Sequence, residues 1–255
     1  MTTYVRGMVF ACGLAVVSLP AMTLRADDVE ARELVRKVVE ALPQVPFTAK
    51  VKLSIDGGEA REIDLSHKVI DGNRSSYLTV TAPAELEGIR FLFIEKKGAP
   101  AEQYMKVAAS RTVVRVAGEV RQQPFLSSTF FIADLVDPPL DAFTYAYAGE
   151  EKVGGRACKL VESVPKHPEQ EVYGKTVIAI DPKDHLAMRR TFYDKKGQVL
   201  KLWTVEKVEK IDGFWTMRDQ KMAHVDGHTS RLEITEIKYN AELEDSIFTP
   251  KYLLR

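Results

Sequence analysis

A curved antiparallel sheet with helical segments available to cover it, mainly β in an α+β sense, is the fold class this sequence predicts, and three observations predict it. From Phe47 onward apolar residues recur at every second position, the period of a strand with one dry face. The runs carrying this period are short, β-branched and aromatic. Turn signals punctuate them at Asp56-Gly57-Gly58, Asp71-Gly72-Asn73, Lys97-Gly98, Gly154-Gly155, Lys196-Gly197, Asp212-Gly213 and Asp226-Gly227. No rhythm of strands alternating with helices occurs, which argues against a parallel sheet.

In chain order, Arg6 precedes an apolar run from Met8 to Leu19 that is too short to span a bilayer comfortably. This is the pattern of a cleavable export signal, with cleavage expected after Ala26 and Ala21 as a second site. Cys12 lies inside the run behind Phe10, which suits a lipoprotein signal poorly, and Pro20 ends the run too early for an anchor. The expected division is a signal peptide over residues 1–26 and one secreted domain over residues 27–255. The 229 residues left when 26 are removed from 255 are within reach of a single large β-domain. Loss of Arg6 and Arg25 from 36 basic residues leaves 34 against 36 acidic ones, a net charge of −2. No basic face for nucleic acid is evident. Only Cys158 survives processing, so the core holds without an internal disulfide, and Cys158 reads as a small buried hydrophobe.

The first element of the domain is a helix: Ala31, Leu34, Val35, Val38, Val39 and Leu42 recur at three- and four-residue spacing until Pro43 and Pro46 stop it. In the strand that follows, Val51, Leu53 and Ile55 face one way and Lys50, Lys52 and Ser54 the other. Beyond the first hairpin Ile63, Leu65 and Val69 keep the period, with His67 on the same face as a satisfied core or rim histidine. Further strands are expected over residues 77–81, 89–96, 103–107, 112–116, 143–149, 157–164, 175–180, 187–193, 199–208, 215–223 and 229–239. A helical or irregular plug is expected between Gly118 and Asp141, and a short final helix over residues 245–252.

Candidates for chemistry each meet a physical objection. Gly174-Lys175-Thr176 ends like a phosphate-binding loop, but Glu169 stands where that motif needs glycine and a β-branched run follows where it needs a helix. His224 and His228 would share a helix edge, but Asp226-Gly227 between them signals a hairpin, so no metal site is expected. The pairs Asp27-Asp28 and Glu150-Glu151 read as solvated ends and turns, not acid/base dyads. A non-enzyme without cofactor or metal is the expectation.

From Ala82 to Leu253 a set of segments follows a family-like order. They are Pro83 with Gly88-Ile89-Arg90-Phe91-Leu92, Tyr104-Met105 with Arg111-Thr112-Val113-Val114-Arg115, and Phe125-Leu126-Ser127-Ser128-Thr129-Phe130-Phe131-Ile132-Ala133-Asp134-Leu135. Val164-Pro165-Lys166, Tyr173-Gly174-Lys175, Ile180-Asp181, residues 192–201 and residues 247–253 continue the set. On these segments the chain resembles the LolA-like family of periplasmic outer-membrane lipoprotein-sorting proteins. It departs in the central segment, where Ser127, Thr129 and Ala133 replace a glycine, an aspartate and a glutamate, so no role tied to those side chains carries over.

The resemblance implies an incomplete, strongly curved β-barrel with helices across its mouth and an apolar hollow that takes acyl chains. The hollow is then expected to be lined by Phe91, Phe93, Tyr104, Met105, Phe125 and Phe130. It implies a periplasmic, monomeric carrier or chaperone that shields a lipid or an acylated lipoprotein between the inner and outer membranes. An inner-membrane exporter and an outer-membrane acceptor would be its partners. Two other classes stay open: an envelope interaction or sensor module beside an inner-membrane lipid exporter, and a hydrolase of unrecognised type.

Overall fold

Residues 28–108 and 111–255 are described in the computed structural model, and the expected export signal lies outside them. Helix α1 (Val29–Ala41) begins where the Asp28 carboxylate accepts hydrogen bonds from the backbone N–H groups of Glu30 and Ala31, at 2.9 and 3.1 Å. Those donors have no partner inside a first turn, so the cap satisfies them. Ala31, Leu34, Val35 and Val38 form the buried stripe, and Arg36 pairs with Glu33 and Glu40 on the outer side.

Every strand that follows joins one antiparallel sheet. Its first half holds β1 (Phe47–Ile55), β2 (Arg61–Ile70), β3 (Asn73–Ala82), β4 (Arg90–Glu95), β5 (Glu102–Lys106) and β6 (Val114–Arg115). Its second half holds β7 (Phe143–Val153), β8 (Arg156–Pro165), β9 (Lys175–Asp181), β10 (Leu186–Tyr193), β11 (Val199–Ile211), β12 (Phe214–His224) and β13 (Thr229–Tyr239). Neighbours in sequence are neighbours in the sheet, except that β1 pairs with β13, with Leu53 opposite Leu232. The two meanders are thus welded at the centre. β6 and β7 remain as separate edges, so the sheet is open and not a closed barrel.

Register shifts at Lys50/Val51, Glu62/Ile63, Tyr147/Gly149, Ala187/Arg189, Phe192/Tyr193 and Val205/Lys207 bend the strands, since an extra residue on one strand increases local twist. The concave face collects the main core, among it Leu53, Ile63, Val80, Phe91, Phe93, Val161, Ile178 and Met222, under α1. On the convex face Tyr77 and Leu92 are covered by Phe248 and Leu253 of the C-terminal segment.

The expected strand over residues 112–116 contracts to Val114–Arg115, and the expected final helix is two 3-10 turns, Asp245–Phe248 and Tyr252–Leu254. The plug is a string of 3-10 turns at Gly118–Gln122, Phe125–Ser127, Ile132–Leu135 and Leu140–Ala142. Among the described residues α1 is the one α-helix where several helices were expected.

Candidate functional site

A cavity of about 550 Å³ lies between α1, the plug and the concave face of β7 to β10. Val35, Val38 and Val39 close it on the helix side, Phe143, Tyr145, Ile178, Ile180 and Phe192 on the sheet side, and residues 133, 134 and 136–142 along the plug. Its volume falls in the range of roughly 300–1,000 Å³ that small-molecule sites occupy.

The six residues expected to line the hollow lie elsewhere. Phe91, Phe93, Phe125 and Phe130 are buried together; the rings of Phe91 and Phe93 are 6.0 Å apart, and Phe125 meets Phe91 edge-on at 4.9 Å. None of the six is among the residues that border this cavity. Met105, opposite Phe91 in the β4–β5 register, packs against the same core, whereas Tyr104 pairs with Leu92 and sits in the convex cluster. Consecutive strand residues point to opposite faces, so Tyr104 and Met105 were never able to share one wall.

Two charged clusters that the sequence reading missed meet the cavity. In the first, Arg190 of β10 donates from Nη2 to Asp137 of the plug at 2.8 Å. Asp137 is also 3.8 Å from Arg74 of β3. Arg74 donates in turn to Glu95 of β4 at 3.2 Å, and Glu95 accepts the Asp137 backbone N–H at 3.1 Å. β3 and β10 are far apart in strand order, so this clasp spans the hollow and ties the two wings of the sheet through the plug. Burial and the neighbouring Asp137 charge push the Glu95 carboxyl up to about 7. Burial opposes the charge on Asp137 too, but Arg190 and Arg74 outweigh it and hold that carboxyl below its ordinary range.

The second cluster is centred on Lys201 of β11, whose side chain is 0% exposed. Its Nζ donates to Asp134 at 2.5 Å and to the Thr129 carbonyl at 3.2 Å, and lies 3.5 Å from the centroid of the Phe131 ring. Asp134 also accepts the Phe131 N–H at 2.7 Å and the Tyr173 hydroxyl at 2.5 Å. Burial and then the Asp134 charge raise the Tyr173 pKa, while burial lowers that of Lys201 against the pull of Asp134. Thr129, which replaces the family aspartate, binds through its backbone N–H to Ser230 and through its hydroxyl to the Met222 carbonyl. The plug is thereby pinned to β11, β12 and β13. The signal for both clusters was in the alternation: Arg190 stands between Met188 and Phe192, and Lys201 ahead of Trp203 and Val205, at positions where the period demands an inward side chain.

The remaining candidates fall into place individually. His67 is buried, stacks on Phe47 at 4.8 Å and bonds through Nδ1 to the Ser76 hydroxyl at 3.0 Å. His224 and His228 flank a hairpin turn, each beside an aspartate, Asp226 and Asp56. Cys158 is buried, and burial raises its thiol pKa. Among the described residues no group of three or more His, Cys, Asp and Glu is arranged to hold a metal ion, and no helix is long and apolar enough to cross a membrane.

An open, bulged antiparallel sheet folded round a cavity, with one helix and a pinned plug across it, is the LolA-like fold. A family model described as "Uncharacterized protein" matches residues 72–255, and the chain belongs to that family. A DUF1329 family protein from Desulfovibrio piger superposes with a TM-score of 0.83 at 23% identity, covering 90% of this chain and 100% of the other. An outer membrane lipoprotein-sorting protein domain from Vibrio parahaemolyticus gives 0.82 at 20% identity over 89% and 99%. A LolA superfamily protein from Nitrosomonas europaea gives 0.68 at 19% over 87% and 98%. No curated protein matches the sequence.

Proposed function

We propose that the protein is a periplasmic carrier that shields the acyl chain of a lipid or lipoprotein between membranes, and that it binds without catalysing a reaction. The observation that carries this reading is the cavity under α1 in a fold shared with a lipoprotein-sorting domain. At about 550 Å³ the cavity falls within the roughly 300–1,000 Å³ of small-molecule sites, a scale that suits a single acyl chain. Burying sixteen methylenes gains at most about 13 kcal/mol at ~0.8 each, before ordering costs. Release then needs the plug or α1 to move. An exporter in the inner membrane and an acceptor in the outer membrane complete the route.

The test is mass spectrometry of an organic extract from natively purified protein, together with titration of a fluorescent fatty-acyl probe. Lipid in the extract and saturable probe binding are expected, and Ile178→Trp, which fills the cavity, should abolish both. Tyr104→Ala on the convex face should leave them unchanged. Wild-type protein that carries no lipid and binds no probe would sink the carrier reading in favour of an envelope interaction module.

A further inference from the structure

Among the described residues four cations border the cavity, Arg115, Arg121, Lys175 and Arg190; Arg121 pairs with Glu171 and Lys175 with Glu162, and Arg190 is the one that rises between buried apolar neighbours of the concave face. Its strand places it opposite Ile178 of β9 and Trp203 of β11, between the buried Met188 and Phe192 on the concave face. The guanidinium lies 5.8 Å from the Trp203 ring, and its side chain is 26% exposed. Among the described residues its hydrogen bond is from Nη2 to Asp137; Nε is buried without a partner, and Nη1 makes no hydrogen bond. A packing residue at this position would be apolar. A residue serving only the clasp would spend more of its five donors.

The donors that Arg190 leaves unspent have room for one more acceptor. Facing Arg190 are Asp137 from the plug, Arg74 from β3, Glu95 from β4 and the Tyr145 hydroxyl from β7. Two guanidiniums thus meet two carboxylates, one of which, Glu95, is pushed up to about 7. The cluster stands at the edge of the apolar part of the hollow, with donors of Arg190 unspent. An acyl chain with an anionic head would lay its methylenes along Val35, Val38 and Ile178 and bring its head oxygen to Nη1. Charge-assisted bonds from arginine to a carboxylate or phosphate oxygen are stronger than neutral ones, and a partly dry site strengthens them further.

We propose that Arg190 determines specificity by binding the head of the cargo, so that the cavity selects single acyl chains ending in an anionic oxygen over neutral or cationic chains of equal length. This rests on the acyl-carrier reading above, and the experiment separates the two. Delipidated full-length protein is loaded with a neutral pyrene-labelled hydrocarbon, which is displaced by hexadecanoate, hexadecanol or hexadecylamine. Hexadecanoate is expected to displace the probe at about tenfold lower concentration than hexadecanol, a difference of about 1.4 kcal/mol, with hexadecylamine weakest. Arg190→Gln, which keeps a donor for Asp137 without the charge, should bring hexadecanoate within twofold of hexadecanol, the ratio of the two being read within the variant. Arg190→Lys should keep the order of the three ligands, and it decides the matter with the wild type where the glutamine variant fails to fold. Equal displacement by hexadecanoate and hexadecanol in the wild type overturns this inference while leaving the carrier intact. Failure of the probe to bind at all overturns both.

Discussion

Replacing Lys201 by methionine keeps most of the side-chain volume and removes the charge, which isolates what the buried ion pair contributes. Asp134, whose side chain is 3% exposed, then retains its negative charge with only the Tyr173 hydroxyl and the Phe131 N–H as donors. Removing one partner of a buried pair costs about 3–5 kcal/mol, because the other charge is left without compensation. For a domain of this size each kcal/mol shifts Tm by about 2–4 °C, so Lys201→Met should lower Tm by about 6–20 °C. The double variant Lys201→Met/Asp134→Asn removes both charges and should recover most of that loss. Urea denaturation of the two variants and the wild type measures the difference, and limited proteolysis shows whether cleavage between residues 118 and 142 accelerates. A cost below about 1 kcal/mol for the single variant, the worth of a solvated pair, would refute the claim that a dry ion pair pins the plug.

Ser127 sits at φ +62°, in the left-handed region that costs a residue with a Cβ about 1–2 kcal/mol. Ser127→Gly, the residue usual in the family, should therefore raise stability by up to about 1 kcal/mol in urea denaturation, after the entropy of glycine is subtracted. His67 is held at about 4 against an ordinary 6.5, first by burial and then by Arg74. Above pH 6.5 neither state is charged and its contribution is complete; as pH falls to 4 the unfolded chain takes up a proton that the folded one resists. That loss reaches about 3 kcal/mol below pH 4, and His67→Gln should remove this component from the difference in acid-unfolding curves. Gly174 lies so close to Asp194 that an added Cβ would stand 2.4 Å from its carbonyl oxygen, so Gly174→Ala should cost about 1–3 kcal/mol by thermal denaturation.

Local chemistry made most of the scaffold legible. The three- and four-residue spacing from Ala31 to Val38 wrote α1, and glycine at Asp56-Gly57, Asp71-Gly72 and Asp212-Gly213 wrote the hairpins, whereas Asp28, read as a solvated end, proved to cap the helix. These signals act within a few residues, so strand order followed from sequence order for all pairs but one. The β1–β13 pairing that welds the two meanders was not written in any local pattern. Nor was the wall of the cavity. Apolar periodicity says which side chains face inward but not which of them meet: Phe91, Phe93, Phe125 and Phe130 pack together in the core, while Val35, Val38 and Ile178 border the cavity. That difference depends on how far bulges curl the sheet, and on Asp137 joining Arg74 to Arg190 across strands remote in the chain. Such distances are sums over many small twists. The amino-acid pattern set the faces, and only the assembled curvature decided which part of the concave face was packed and which was hollow.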